Sequence, residues 1–223
     1  NGPDRAIAPP SALLTLLISH FHQLNHSHFN ALSQVVQQLL GEFPGTGKFS
    51  VPLHYFPPPK GRPEHDGLWL KISAANGRSW IGVFAFGYQS PPAISRVVSS
   101  PDPSRLCVVS RDAAYTVKAD EPEVWEQIPI IPVLDVRSVL EEKILIFSDF
   151  TRLAAYGRAG LAWQNPRVCL DGLRILEVTR DTIEGTGYDP TNSITHESRF
   201  VVDLKTGHSL LLPPTSTDGK PFW

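Results

Sequence analysis

The chain of 223 residues is 41% hydrophobic and 19% charged, a balance that excludes an intrinsically disordered polymer. Its net charge of −2, with no lysine- or arginine-rich block, excludes the concentrated positive field that nucleic-acid binding and basic attachment to membranes require. Two cysteines, Cys107 and Cys169, are too few for a disulfide framework or a cysteine-based zinc signature. Both lie in apolar, strand-like segments and read as small buried hydrophobes.

The first predicted element is an amphipathic helix within residues 11–43. Leu14, Leu17, Phe21, Leu24, His28, Leu32, Val35 and Leu39 step by three or four. Ile18, Phe29, Val36, Leu40 and Phe43 widen this face into a broad apolar stripe. Ser11 is placed to cap the helix, because its hydroxyl can accept from a free backbone N–H, and Gly41 or Pro44 ends it. Asn25 to Ser27 are the poorest helix formers in the run, so a helical hairpin broken there is the alternative. The apolar run "ALLTLLI", residues 12–18, is too short to span a bilayer and lacks the basic flank of a signal peptide. A cytoplasmic location is the resulting expectation.

Four of the eight histidines fall inside this helix: His20, His22, His26 and His28. At about 100° per residue, His22 and His26 lie about 40° apart and share an edge of the stripe. His28 lies within the stripe and His20 across the helix from that edge. His22 and His26 are therefore the candidate metal ligands. A zinc site wants three or four ligands, so His54, His65 or His196 would have to join them.

Residues 44–66 read as a proline-rich linker, since repeated prolines remove backbone donors and force extended conformations. Leu53, Tyr55 and Phe56 give it apolar anchors. "PGTGKFS" is not a phosphate loop: Glu42 stands where the first glycine belongs and Phe49 follows Lys48. "PPPKGRP" reads as a stiff connector.

From Gly67 onward the chain changes to short β-branched and aromatic runs divided by turn residues, which predicts an antiparallel β domain over residues 67–223. "LWLKIS" and "WIGVFAFGY" flank Asn76-Gly77, a strong hairpin turn. "AISRVVSS", "RLCVVS", "AAYTVKA", "KILIFSDF", "RLAAYG", "LAWQ", "LRILEVT", "TIEGTGY", "RFVVDL" and "HSLLL" follow as strand candidates. The fold class expected is thus α+β and mainly β, with an open sheet, a sandwich, a small barrel or a partial propeller-like repeat as the architecture. One internal echo stands out. "RLCVVSRDAAYTVKADEPEVW" and "KILIFSDFTRLAAYGRAGLAW" both run strand, turn, "AAY", loop, tryptophan. The phrases "AAYGRAGLAW" and "VVDLKTGHSLL" resemble the blade repeats of quinoprotein-type β-propellers. That resemblance implies blades of about 40 residues in which a strand leads through a glycine-containing turn to a tryptophan.

Chemistry is sparse. No G-x-S-x-G elbow is present. Asp120, Glu121, Glu123 and Glu126, like Glu141 and Glu142, sit in polar stretches and read as solvated faces. The longest polar loop of the β region, "YDPTNSITHESRF", gathers Asp189, His196, Glu197 and Arg199, the candidate ligand-binding residues. No motif calls for a cofactor. The function expected is a non-enzymatic binding or assembly module of bacterial type, with self-association through the N-terminal helix and neither nucleic acid nor membrane as partner. The alternatives are a metal-dependent hydrolase or metal-binding protein using the N-terminal histidines, and a sugar- or peptide-binding module using exposed tryptophans.

Overall fold

The structure is a computed structural model that describes residues 36–39, 49–59, 66–87 and 94–211. Among these residues there are strands and turns but no helix, and they form four four-stranded sheets in chain order. The first sheet holds β1 (Val36–Leu39), β2 (Leu53–Phe56), β3 (Gly67–Ser73) and β4 (Ser79–Ala85), in the order β1-β3-β4-β2. Its strands are antiparallel except that β2 runs parallel to β4. The second holds β5 (Ser95–Ser99), β6 (Arg105–Ser110), β7 (Ala113–Lys118) and β8 (Trp125–Gln127). The third holds β9 (Asp135–Val139), β10 (Ile144–Ser148), β11 (Leu153–Gly157) and β12 (Gly160–Gln164). The fourth holds β13 (Arg174–Val178), β14 (Thr182–Tyr188), β15 (Glu197–Asp203) and β16 (Ser209–Leu211). Each of the last three is an antiparallel meander in which every strand pairs with the next.

The helix expected over residues 11–43 is corrected at Val36–Leu39. These residues pair antiparallel with β3, Val36 opposite Ser73 and Leu39 opposite Leu70. Four residues are too short a window for spacing to separate helix from strand, and the open edge of β3 offers ladder hydrogen bonds that decide the matter. The rest of that segment, including His20, His22, His26 and His28, lies outside the described residues. No helix of the described residues is long and apolar enough to cross a membrane.

The stacking of the sheets follows from strands that are apolar on both faces. In β10, Leu145 and Phe147 point to the second sheet, where they meet Cys107, Val109 and Ala114. Ile146, between them, points to the fourth sheet and meets Ile183, Phe200 and Val202. β11 divides in the same way, Ala154 and Tyr156 one way and Leu153 and Ala155 the other. A strand buried on both faces reads as a continuous apolar run, which is why "ILIF" shows no alternation. The first sheet joins the stack through its aromatics. Phe84 lies 5.8 Å from Tyr115, and Phe56 stacks on Phe84 at 4.7 Å. Its other face carries Trp69, Ile81 and Val83, packed against Phe49, Val51, Leu53 and Tyr55.

Backbone carbonyls at the seams are satisfied by side chains of the neighbouring sheet. Trp80 Nε1 donates to Ala119 O at 2.8 Å, and Trp163 Nε1 donates to Leu204 O at 2.9 Å. Ser110 Oγ donates to Phe84 O and Tyr115 Oη to Ala85 O. Gly207 has φ +72°, and a Cβ there would lie 2.5 Å from the Trp163 ring, so the "KTG" turn needs glycine on both counts.

The turns share one device. Asp102, Asp149 and Asp189 each accept, through Oδ1, the backbone N–H and the hydroxyl of the Ser or Thr two residues on. Asp203 holds the Thr three residues on, its Oδ1 accepting from Lys205 N, Thr206 N and Thr206 Oγ1. Asp-x-Ser/Thr is thus the turn signal that ends strands in this chain. The β3–β4 hairpin closes at Asn76-Gly77 as expected, with Gly77 at φ +82° and Arg78 N donating to Asn76 Oδ1. Arg111 and Asp112, both at positive φ, make the two-residue β6–β7 turn. The internal echo falls on β6–β8 and β10–β12, the same positions in consecutive sheets.

Two predictions follow from this packing. Phe147→Ala, which empties the seam between the second and third sheets, should cost about 3–5 kcal/mol in denaturant unfolding. The second concerns His54, whose ring lies 5.5 Å from Trp80. Burial pushes its imidazole below the ordinary value of 6.5, with Glu123 opposing and Arg78 reinforcing the shift. The folded state therefore takes up that proton later than the unfolded chain as pH falls. Stability should decline as pH drops below 6.5. His54→Gln should flatten that acid limb in melting curves recorded across the range, and leave the neutral limb in place.

Candidate functional site

The apolar seam between the second and third sheets becomes polar at one end. Along β6 the residues facing the third sheet run Val109, Cys107, Arg105, and along β7 they run Ala114, Thr116. Arg105 and Thr116 therefore continue a buried apolar face at its rim. Together with Asp102, Glu126, Tyr156 and Arg158 they line a crevice of about 170 Å³.

The polar groups of the crevice are ordered by hydrogen bonds. Arg105 Nη1 donates to Thr116 Oγ1 at 3.3 Å, and Thr116 Oγ1 donates to Glu126 Oε1 at 3.1 Å. Arg105 Nε lies 3.9 Å from Asp102 Oδ2. Burial alone would raise the Asp102 carboxyl, but two hydrogen bonds from Ser104, with Arg158 and Arg105 nearby, hold it below its ordinary value. The floor is Leu145 and Tyr156. Tyr156 is 6% exposed, and its ring packs edge-on against Phe147 at 5.5 Å. Burial and the neighbouring Glu126 carboxylate push its phenol up. No hydrogen bond reaches that hydroxyl among the described residues. Arg158, on the β11–β12 turn, is exposed at the mouth.

Asp189, His196, Glu197 and Arg199 lie elsewhere, on and beside the β14–β15 loop of the fourth sheet. Asp189 is buried and closes the loop: its N–H donates to His196 O at 2.8 Å, and its carboxylate holds Thr191. His196 sits at φ +53°, its ring 6.4 Å from that of Tyr188. Glu197 pairs with Arg174, and Arg199 Nη2 donates to Glu184 Oε2 at 2.7 Å. The structure thus brings these four residues into one neighbourhood, where three of them are engaged within the loop and its own sheet. His22, His26 and His65 are outside the described residues. Among the described residues, no group of three or more His, Cys, Asp or Glu side chains could hold a metal ion. Cys107 and Cys169 are free and buried. Burial pushes both thiols up to about 12, with Asp171 adding to the shift at Cys169. Neither is a thiolate nucleophile at neutral pH.

No protein-family model and no curated protein matches this chain. Its candidate site is therefore argued from geometry alone. The crevice residues were not singled out from the sequence, with Glu126 grouped among solvated carboxylates. The available signal was a polar residue inside an otherwise apolar strand: Arg105 in "RLCVVS" and Thr116 in "AAYTVK".

The two regions respond differently to substitution. Arg199→Ala, which removes one exposed ion pair, should change unfolding free energy by less than about 1 kcal/mol. Asp189→Ala, which strips an exposed loop of its buried organising acceptor, should cost about 1–3 kcal/mol. Chemical denaturation of both variants measures the contrast.

Proposed function

We propose that the protein is a non-enzymatic binding module whose stacked four-stranded sheets are consecutive blades of a β-propeller-like repeat, and that it binds its ligand in the crevice between the second and third sheets. The observation that carries this reading is the convergence of Asp102, Arg105, Thr116, Glu126, Tyr156 and Arg158 at the rim of an apolar seam. Clefts between packed elements, with an apolar floor and a few convergent polar groups, are the usual form of a small-molecule site. The ionisation of the crevice supports binding over catalysis. Asp102 is held ionised and the Tyr156 phenol is pushed up, so neither has the near-neutral pKa that suits a general acid or base. The repeat reading is supported by three successive meanders, by the echo at equivalent positions in two of them, and by β10 and β11 serving two cores at once.

The test is to incubate the purified full chain with a small-metabolite extract, wash it, and analyse by mass spectrometry both what the protein retains and what the extract loses. Retention of an unaltered compound by the wild type, and its loss in the double variant E126Q/R158Q, is the expected result. Turnover of any compound that disappears in the same double variant would make the crevice an active site and overturn the reading. So would retention of nothing.

A further inference from the structure

We propose that the crevice takes a small zwitterion of amino-acid size, its carboxylate held by Arg158 and Arg105 and its ammonium group by Glu126, with the Tyr156 hydroxyl completing the carboxylate's hydrogen bonds. This rests on the binding reading above and names the ligand class for the same site.

The size of the space comes first. A volume of about 170 Å³ corresponds to about six water molecules at about 30 Å³ each. It lies well below the roughly 300–1,000 Å³ of sites for larger ligands. A molecule of a few heavy atoms fills it.

Charge selects among such molecules. Two guanidinium groups and two carboxylates line the crevice. Inorganic phosphate carries no positive group for Glu126, so it complements only the guanidinium groups. A divalent cation would meet Arg105 and Arg158, and the described residues offer no group of three ligands for it. A ligand with one charge of each sign complements both.

Each sign keeps hydrogen-bonding capacity for a ligand. Asp102 lies within the field of Arg105 and Arg158; its Oδ1 accepts from Ser104 N and Oγ, and its Oδ2 lies 3.9 Å from Arg105 Nε. That leaves guanidinium N–H donors: Arg105 gives one to Thr116, and the fork carries five. Glu126 receives a hydrogen bond at Oε1 only, from Thr116. Among the described residues its Oε2 has no hydrogen bond, which leaves it open to a cation. The Tyr156 hydroxyl is the second, independent pointer. It belongs to a side chain more than nine-tenths buried, it faces the crevice, and it has no hydrogen bond among the described residues. A hydroxyl that opens into the crevice with no protein partner is free to donate to a ligand carboxylate.

The experiment is calorimetric titration of the full chain with glycine and with L-alanine, and in parallel with acetate, methylammonium and inorganic phosphate. Glycine or L-alanine should bind, and acetate and methylammonium should each bind at least about tenfold more weakly, since each makes half the charged contacts. Glu126→Gln and Arg158→Gln should each weaken amino-acid binding at least about tenfold without changing the melting temperature, because both groups are exposed. Tyr156→Phe should weaken it severalfold, and it leaves the ring packing on Phe147 in place. The proposal is overturned if neither amino acid binds, if phosphate or acetate binds as tightly, or if the charge variants bind as the wild type does. Metabolite retention in the preceding experiment separates the two failures. If the protein retains a compound of another class, the zwitterion falls and the binding reading stands. If it retains nothing, both fall.

Discussion

The burial of β10 and β11 on both faces is the constraint on which the rest of the structure depends. A two-faced strand cannot be satisfied by one partner sheet. Phe147 requires the second sheet and Ile146 requires the fourth, so the third sheet can exist only as the middle of a stack. The second sheet repeats the situation, with Tyr115 turned to Phe84 of the first sheet and Ala114 to the third. Each sheet is stabilised by its neighbours, as in repeat proteins whose units cannot bury their apolar surface alone. The outer face of the fourth sheet has a different composition. There Arg174 and Glu197, and Arg199 and Glu184, pair across strands.

Face-to-face stacking creates a problem at the seam edges, where backbone carbonyls would be lost to solvent without gaining a partner. Side chains chosen for that task meet it. Trp80 and Trp163 send indole N–H groups to carbonyls of the following sheet, and Ser110 and Tyr115 send hydroxyls to carbonyls of the preceding one. These bonds carry little net energy singly, but a carbonyl buried without one would cost more than the bond yields. They also fix the rotation of one sheet on the next, and that rotation places β7 and β8 opposite β11. In the crevice Arg105, Thr116 and Glu126 bond to one another instead of to backbone carbonyls.

Much of this architecture could be read from the sequence, and the part that could not has a common physical cause. The strands recognised by their apolar runs include all eight interior ones: β3, β4, β6, β7, β10, β11, β14 and β15. The four that went unrecognised, β1, β2, β8 and β9, are all edge strands. An edge strand has one bonded neighbour and partial exposure, so it keeps polar residues such as Gln37, Glu126 and Arg137 that blur the pattern. β1 was hidden further because it lies in a run whose three- and four-residue apolar spacing reads as helix. The echo between "RLCVVSRDAAY" and "KILIFSDFTRLAAY" did carry over, because it records the same job done twice, an interior hairpin buried on both faces.

The site is a harder case, and the reason lies in how polarity is distributed. A loop such as residues 188–196 looks chemical because its polar groups are adjacent in sequence. Adjacency lets them bond to one another: Asp189 holds Thr191, and Asn192 holds Thr195 and the Glu197 carbonyl. Groups satisfied in this way have little left to offer a ligand. Arg105, Thr116, Glu126 and Tyr156 come from four strands, and Arg105, Thr116 and Tyr156 are each nearly alone among apolar neighbours in their own runs. Only the register, Cys107 opposite Thr116 and Thr116 opposite Glu126, brings the first three to one face. Only the stacking of the third sheet adds Tyr156. A solitary polar residue at the end of a buried strand is therefore the feature that points to a site in such a fold, because the core that surrounds it cannot satisfy it and something at the rim must.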